Sequence, residues 1–144
     1  MKVVFVAVIA TACLISANAD SQCEEHRQRE LESNAHVKLV PKCTREGDYE
    51  ALQCFENSNF CMCWRPDGSH ITDPSKKIKT CTCHVHKDRE LSLAAKGIIG
   101  NFIPSCHEDG TYAKKQCHGS IGLCWCVDED GKKVSESVRG DLEC

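Results

Sequence analysis

Thirteen cysteines and seven histidines in 144 residues give this chain material for three kinds of chemistry: thiolate attack, metal ligation and disulfide cross-linking. The densest cluster is Cys81-Thr82-Cys83-His84-Val85-His86, where sulfur and imidazole donors stand close together as a zinc site needs. Asp128-Glu129-Asp130-Gly131 has the start of a calcium loop. The bidentate acid that such a loop carries about nine residues later has no counterpart, and a hairpin turn accounts for these residues better. Arg139-Gly140-Asp141 is the candidate integrin motif: a constrained Arg-Gly-Asp can place its carboxylate on a receptor-bound metal ion while the guanidinium pairs with an acidic groove. Such tripeptides also recur by chance.

The compartment decides among these chemistries. Met1-Lys2, the apolar stretch Val3 to Ile15 and the small-x-small site Ala17-Asn18-Ala19 read as a signal peptide over residues 1–19, removed before Asp20. The stretch is too short to span a bilayer, and no later segment resembles a spanning helix. A secreted, extracellular chain with no membrane partner is expected. Cleavage removes Cys13 and leaves twelve cysteines, an even number that an oxidising compartment turns into cross-links. Oxidised cysteines are neither nucleophiles nor thiolate ligands, so no metal site and no cofactor are expected. The histidines show no evident partner set and no Gly-x-Ser-x-Gly element occurs, which argues against an enzyme. The formal charge is −3, becoming −4 on loss of Lys2, without a basic cluster. Nucleic acid is therefore excluded as a partner. Leu, Ile, Val and Phe are sparse in the remaining chain, so covalent staples must stand in for a large core.

The spacing of the cysteines shows how they are positioned. Cys23, Cys43, Cys54, Cys61, Cys63 and Cys81 are separated by 19, 10, 6, 1 and 17 residues; Cys83, Cys106, Cys117, Cys124, Cys126 and Cys144 by 22, 10, 6, 1 and 17. Pro41, Gly47, Tyr49, Gln53 and Asp67-Gly68 recur at one offset as Pro104, Gly110, Tyr112, Gln116 and Asp130-Gly131. This is an internal duplication. It sets two small domains, 23–81 and 83–144, with only Thr82 between them, so the units are expected to touch. In each, the segment after the first cysteine predicts a short helix, carrying Arg29-Glu30-Leu31 or Arg89-Glu90-Leu91, with Gly97 as a stop for the second. Asp67-Gly68 and Asp130-Gly131 predict hairpin turns between short strands. The Cys-x-Cys strands put Met62 and Trp64 on one face in the first copy and Trp125 and Val127 in the second, with both tryptophans packed against the helix.

The run Pro104-x-Cys106-x-x-x-Gly110-x-Tyr112-x-x-x-Gln116-Cys117, followed by Cys124-Trp125-Cys126-Val127 and Gly131, resembles the signature of thyroglobulin type-1 domains. Pro41 through Gly68 resembles it too, with Cys61-Met62-Cys63 where the family usually has Cys-Trp-Cys. The resemblance implies a small disulfide-rich α+β fold: two tandem domains, each a short helix plus a small antiparallel sheet with three disulfides. The spacing alone leaves the pairing open among 15 arrangements per unit. The resemblance implies sequential pairs: Cys23-Cys43, Cys54-Cys61, Cys63-Cys81, Cys83-Cys106, Cys117-Cys124 and Cys126-Cys144.

Copy two, from Gln116 to Val127, is similar to the inhibitory members of that family, the thyropins, which push a wedge of loops into the cleft of papain-like cysteine proteases. The function so implied is non-covalent occlusion of a cathepsin L-type protease, with a monomer as the expected state. Two segments fit the wedge. The first is Gly97-Ile98-Ile99-Gly100-Asn101-Phe102, where glycines bracket apolar residues that would be costly to expose for no purpose; the second is the loop His118-Gly119-Ser120-Ile121-Gly122-Leu123 between Cys117 and Cys124. Ile98, Ile99 and Phe102 have a structural reading as well, a small core, which holds most strongly for Phe102. In copy one the matching segments, Ala35 to Val40 and Phe55 to Phe60, lack glycine and make a weaker candidate. Adhesion through Arg139, Gly140 and Asp141, or a venom role without protease inhibition, is the alternative.

Overall fold

The computed structural model describes residues 20–144. The proposed signal peptide, 1–19, lies outside the described residues. Two helices and five strands follow in the order α1 (Gln22–Glu32), β1 (Leu52–Cys54), β2 (Cys61–Cys63), α2 (Thr82–Ala95), β3 (Lys115–His118), β4 (Leu123–Cys126) and β5 (Val138–Arg139). The fold is small, disulfide-rich and α+β, with one helix and one antiparallel sheet to each six-cysteine copy. Among the described residues, no helix is long and apolar enough to cross a membrane.

Helix α1 starts at a capping box: Ser21 Oγ accepts from Glu24 N–H while the Glu24 carboxylate accepts from Ser21 N–H. Helix α2 has no side-chain cap, and its N-terminal group is instead met from outside, as Cys83 N–H donates to Gly110 O at 3.1 Å. At its end Gly97, at φ +88°, takes the left-handed position that L side chains avoid; Ile98 N–H reaches back to Leu93 O and Gly97 N–H to Ala94 O. That double bond is a Schellman stop, and it throws the chain outward after the helix.

Strands β1 and β2 pair antiparallel with Cys54 opposite Cys61, and β3 and β4 pair with Cys117 opposite Cys124. The turns at Asp67-Gly68 and Asp130-Gly131 are present, closed by bridges Trp64–His70 and Val127–Lys133 rather than by longer strands. Asp128 Oδ1 accepts from the backbone N–H groups of Asp130 and Lys132, so the acidic run is a turn held by its own side chain.

The core is made of sulfur, aromatic rings and two buried amides. The disulfides join Cys23 to Cys43, Cys54 to Cys61, Cys63 to Cys81, Cys83 to Cys106, Cys117 to Cys124 and Cys126 to Cys144. Each closure is worth ~2–4 kcal/mol on the chain-entropy model. Around them cluster Tyr49, Met62 and Trp64 in one copy and Tyr112 and Val127 in the other. Trp64 stacks on His26 of α1; Trp125 lies half-buried over the Cys83–Tyr112–Val127 cluster with its ring 4.9 Å from Phe102.

Gln53 and Gln116 are the largest wholly buried polar side chains. Gln116 Oε1 accepts from Ser105 N–H at 2.8 Å, and its Nε2 donates to Ser105 O and to Ala113 O. Gln53 repeats the arrangement on Lys42 and Glu50. Each amide thus pins the segment after the buried proline to the start of the sheet.

The copies meet without a free linker. Cys81, the last cysteine of the first, is the N-cap of α2, and Thr82 opens the helix. Lys79 and Thr80 N–H groups both donate to Asp109 O, and Val85 of α2 packs on the Cys63–Ile78–Cys81 cluster of the first copy. The Arg65 guanidinium grips the Asp88 carboxylate in a fork, Nε to Oδ2 at 2.7 Å. A Cβ at Gly110 would stand 1.6 Å from the Thr80 carbonyl oxygen, so only glycine permits this close approach.

Candidate functional site

Two excursions of the second copy lie side by side at one edge. The first leaves α2 at Gly97 and returns to the wholly buried Pro104; the second is the tip of the β3–β4 hairpin. The ladder runs past the Cys117–Cys124 bridge to pair His118 with Leu123, and Gly122 N–H closes on His118 O at 2.9 Å. The six-residue loop read from the sequence is therefore a four-residue tip, Gly119-Ser120-Ile121-Gly122. The directly opposed cysteines, with Cα atoms 4.1 Å apart, extend the pairing beyond themselves.

His118 ties the excursions together. Its Nε2 lies 2.8 Å from Gly100 O and 3.1 Å from Ser120 Oγ, and Ser120 Oγ is itself 3.4 Å from the same carbonyl. Between them runs an open cleft of about 380 Å³, lined by Ile99, Gly100, Ile103, His118 and Gly119 among others.

The six residues of the first segment divide into two groups. Ile98 is 50% exposed and Ile99 91%, displayed on the outer side with Gly97 and Gly100. Asn101 and Phe102 are half-buried anchors. Asn101 Nδ2 donates to Glu90 O at 2.8 Å and Glu90 Oε2 at 3.0 Å, and the Phe102 ring sits among His86, His118 and Trp125. The core reading thus describes Phe102 and not Ile98 or Ile99. Ile121 at the second tip is 46% exposed, while Leu123 is drawn into the ladder.

Arg139, Gly140 and Asp141 lie next to this edge. Arg139 pairs with Leu123, and its Nη1 stands 4.0 Å from where a Cβ on Gly122 would be. Asp141 Oδ1 accepts from Lys115 Nζ at 2.9 Å and from Leu142 N–H, and the Lys115 bond holds the carboxyl below its usual range. The Asp141 carboxylate is therefore paired with a cation of its own domain.

The Cys81–His86 cluster is dispersed. Both cysteines are in disulfides, His84 is half-buried with its imidazole pushed to lower pKa by burial and then by Lys87, and His86 turns to Tyr112 and Glu90. Among the described residues, no group of three His, Cys, Asp or Glu side chains is placed to hold a metal ion.

Two of the histidines have structural partners that the sequence did not reveal. His26 Nδ1 lies 3.1 Å from Tyr49 OH and its Nε2 4.0 Å from Glu30; His86 repeats both contacts at 2.9 Å to Tyr112 and 3.7 Å to Glu90. The spacing of His and Glu, four apart on a helix, carried the second contact; the tyrosine contacts cross 23 and 26 residues and had no local signal. Ile103, 37% exposed beside the cleft, was also missed, although its place next to Phe102 marked it.

Residues 22–83 and 83–144 each match the family described as Thyroglobulin type-1 repeat. The chain is 46% identical over 140 residues to U20-hexatoxin-Hi1a of Hadronyche infensa, covering 95% of both chains. It is 41% identical to U24-ctenitoxin-Pn1a of Phoneutria nigriventer, over 83% of this chain and 91% of that one. Equistatin of Actinia equina is 34% identical over 101 residues, 67% of this chain and 44% of its own.

Proposed function

The chain belongs to the thyroglobulin type-1 repeat family, and from that premise we propose that it is a secreted, monomeric inhibitor of papain-like, cathepsin L-type cysteine proteases. The repeats are taken as 23–81 and 83–144, behind a signal peptide at 1–19. The second repeat supplies the main contact, by occlusion and without chemistry. One observation carries this reading: two braced excursions, bonded to each other through His118 and Gly100, hold Ile99 almost wholly, and Ile98 and Ile121 about half, out in water.

Such exposure is costly, and apolar side chains gathered at one edge mark a contact surface. Fixing the loops before binding reduces the ordering entropy lost on association, so a narrow edge can bind tightly. The ladder to Leu123 and the bonds at Gly100 also hold the backbone in place, which protects an inhibitor from being processed as a substrate. Glycine at 97, 100, 119 and 122 lets that backbone approach a cleft wall.

All twelve cysteines of the described residues are in disulfides, which leaves no thiol to act as a nucleophile and favours a non-enzymatic role in an oxidising, extracellular setting. The two relatives with toxin names fit a venom setting. The Lys115–Asp141 pair competes with use of Arg139-Gly140-Asp141 as an adhesion ligand, so adhesion gains no support from the geometry.

Occlusion has a direct chemical consequence. With a stoichiometric amount of residues 20–144 bound, the catalytic cysteine of a cathepsin L-like enzyme is expected to resist iodoacetamide, while an aspartic protease keeps its activity. Alkylation at the rate of the free enzyme would contradict the proposal.

A further inference from the structure

We infer that Glu90 is the positioning residue of the first edge loop, acting through Asn101 as the end of a side-chain relay that starts at the buried Tyr112. The inference rests on the reading of that loop as the inhibitory edge.

The loop needs such a device. Between Ile98 and Phe102 the described backbone N–H groups beyond Ile98 make no backbone hydrogen bond, so the Schellman stop does not determine the shape of the loop beyond it. Two side-chain ties do. His118 holds Gly100 O from the hairpin side, and Asn101 Nδ2 is held by Glu90 from the helix side through both its backbone and its carboxylate oxygen.

Glu90 is itself fixed from three directions. Its Oε2 accepts from Asn101, its Oε1 accepts from Arg89 Nε at 3.1 Å and Nη2 at 3.0 Å, and the same Oε1 lies 3.7 Å from His86 Nε2. The carboxyl is drawn below its ordinary range, first by Asn101 and then by Arg89. His86 Nδ1 in turn meets Tyr112 OH at 2.9 Å. The imidazole tautomer that accepts the tyrosine O–H at Nδ1 carries its proton on Nε2, the nitrogen turned to Glu90. A chain of contacts thus runs from the core of the repeat to the displayed loop, hydrogen-bonded at both ends and joined at its middle by the 3.7 Å approach of His86 to Glu90.

The first repeat supplies an internal comparison. His26, Glu30 and Tyr49 occupy the matching places, but three residues before the proline Lys38 stands where the second repeat has Asn101. Lys38 Nζ goes to Ser33 O and Leu31 O at the end of α1, not to Glu30. The relay is present in both repeats and reaches the loop in the second. Asn101 is the residue that couples it.

Four forms of the chain test this: wild type, Asn101→Ala, Glu90→Ala and the double variant, read by amide order parameters of residues 98–101 and by inhibition of a cathepsin L-like enzyme. Asn101→Ala should drop the order parameters from about 0.85 to below about 0.6 and weaken inhibition about tenfold, the loss of a hydrogen bond to a charged group. Glu90→Ala should do less, since its backbone oxygen still holds Asn101, and the double variant should match Asn101→Ala. Glu90→Gln, which keeps an acceptor for Asn101, should recover most of the rigidity.

The inference is overturned if Glu90→Ala lowers the order parameters as much in the Asn101→Ala background as alone, or if Asn101→Ala leaves them unchanged. Asn101 lies in a surface loop, so its variant tests the relay even if Glu90→Ala disturbs the helix. A loop that loosens while inhibition stays constant would uphold the relay and remove the reading of this loop as the inhibitory contact.

Discussion

Replacing Ile98, Ile99 and Ile121 together by serine is expected to weaken inhibition of a cathepsin L-like protease by at least about a thousandfold while leaving the fold intact. Apolar anchors buried at the centre of an interface each carry ~2 kcal/mol or more on truncation, and three on one edge suffice for such a loss. The same side chains contribute little to the free protein, since Ile98 and Ile121 are about half exposed and Ile99 almost wholly so. Unfolding stability should stay within ~0.5 kcal/mol of wild type, as for surface substitutions remote from structural features. A change at the exposed apolar residues of the corresponding first-repeat segments, Val37→Ser with Phe60→Ser, should alter inhibition less than about threefold. Phe60 lies under Lys76 Nζ, 5.1 Å from the ring centre, on a loop without glycine, and forms part of a more polar edge. An unchanged inhibition constant in the triple variant would remove both loops from the contact.

The second large effect is on stability. Gln116→Leu is close in size and more apolar, yet it is expected to cost ~2–4 kcal/mol. It leaves Ser105 N–H and Ala113 O without partners inside the domain, each loss costing ~1–3 kcal/mol with partial relief by water, while Ser105 O keeps the bond from Ala113 N–H. In a domain whose apolar cluster amounts to Tyr112, Val127 and a disulfide, with Cys106 and Trp125 against it, that is a large share of the total. The transition in guanidinium chloride should split, with the second repeat melting first and the first repeat close to its wild-type midpoint. Gln53→Leu should reverse the order. A shift below ~1 kcal/mol would mean that the amides fill space rather than hold the segments.

These two glutamines show how far the sequence could be read. Their recurrence at one offset was visible, and it marked them as part of the repeat, but nothing local says that an amide will be buried with three bonds. The cysteine intervals carried the duplication because a covalent framework leaves a strict spacing. Helix α1 was expected from the segment after Cys23; the capping pair Ser21 and Glu24, equally local, starts it and went unread. Gly97 ended α2 for an equally local reason. The His86–Tyr112 and Asn101–Glu90 contacts join residues 26 and 11 apart with no periodic pattern between them, so they appear only once the chain is folded.

The site was legible to the same degree. Alternating glycine and isoleucine pointed to loops, and Ile98, Ile99 and Ile121 are displayed. Phe102 and Leu123 carried the same apolar signal and yet turn inward, because one is caught among three rings and the other is held in the ladder. Thr82, read as a linker, opens α2 instead: Cys81 stands at the N-cap position and Asp109 O binds the N–H groups of Lys79 and Thr80 before it, so the joint is built from backbone hydrogen bonds that composition does not announce.

The central claim is that a braced edge of the second repeat fills a protease cleft and is not cut there. The direct measurement is titration of residues 20–144 into a cathepsin L-like enzyme, following hydrolysis of a small substrate and recovering the protein afterwards for mass analysis. The account predicts reversible, competitive, one-to-one inhibition with a constant on the order of nanomolar and an inhibitor recovered at its full mass with six disulfides. Undiminished hydrolysis with the protein present at micromolar concentration, or recovery of the chain cut between Gly97 and Phe102 or within Gly119–Gly122, would contradict it.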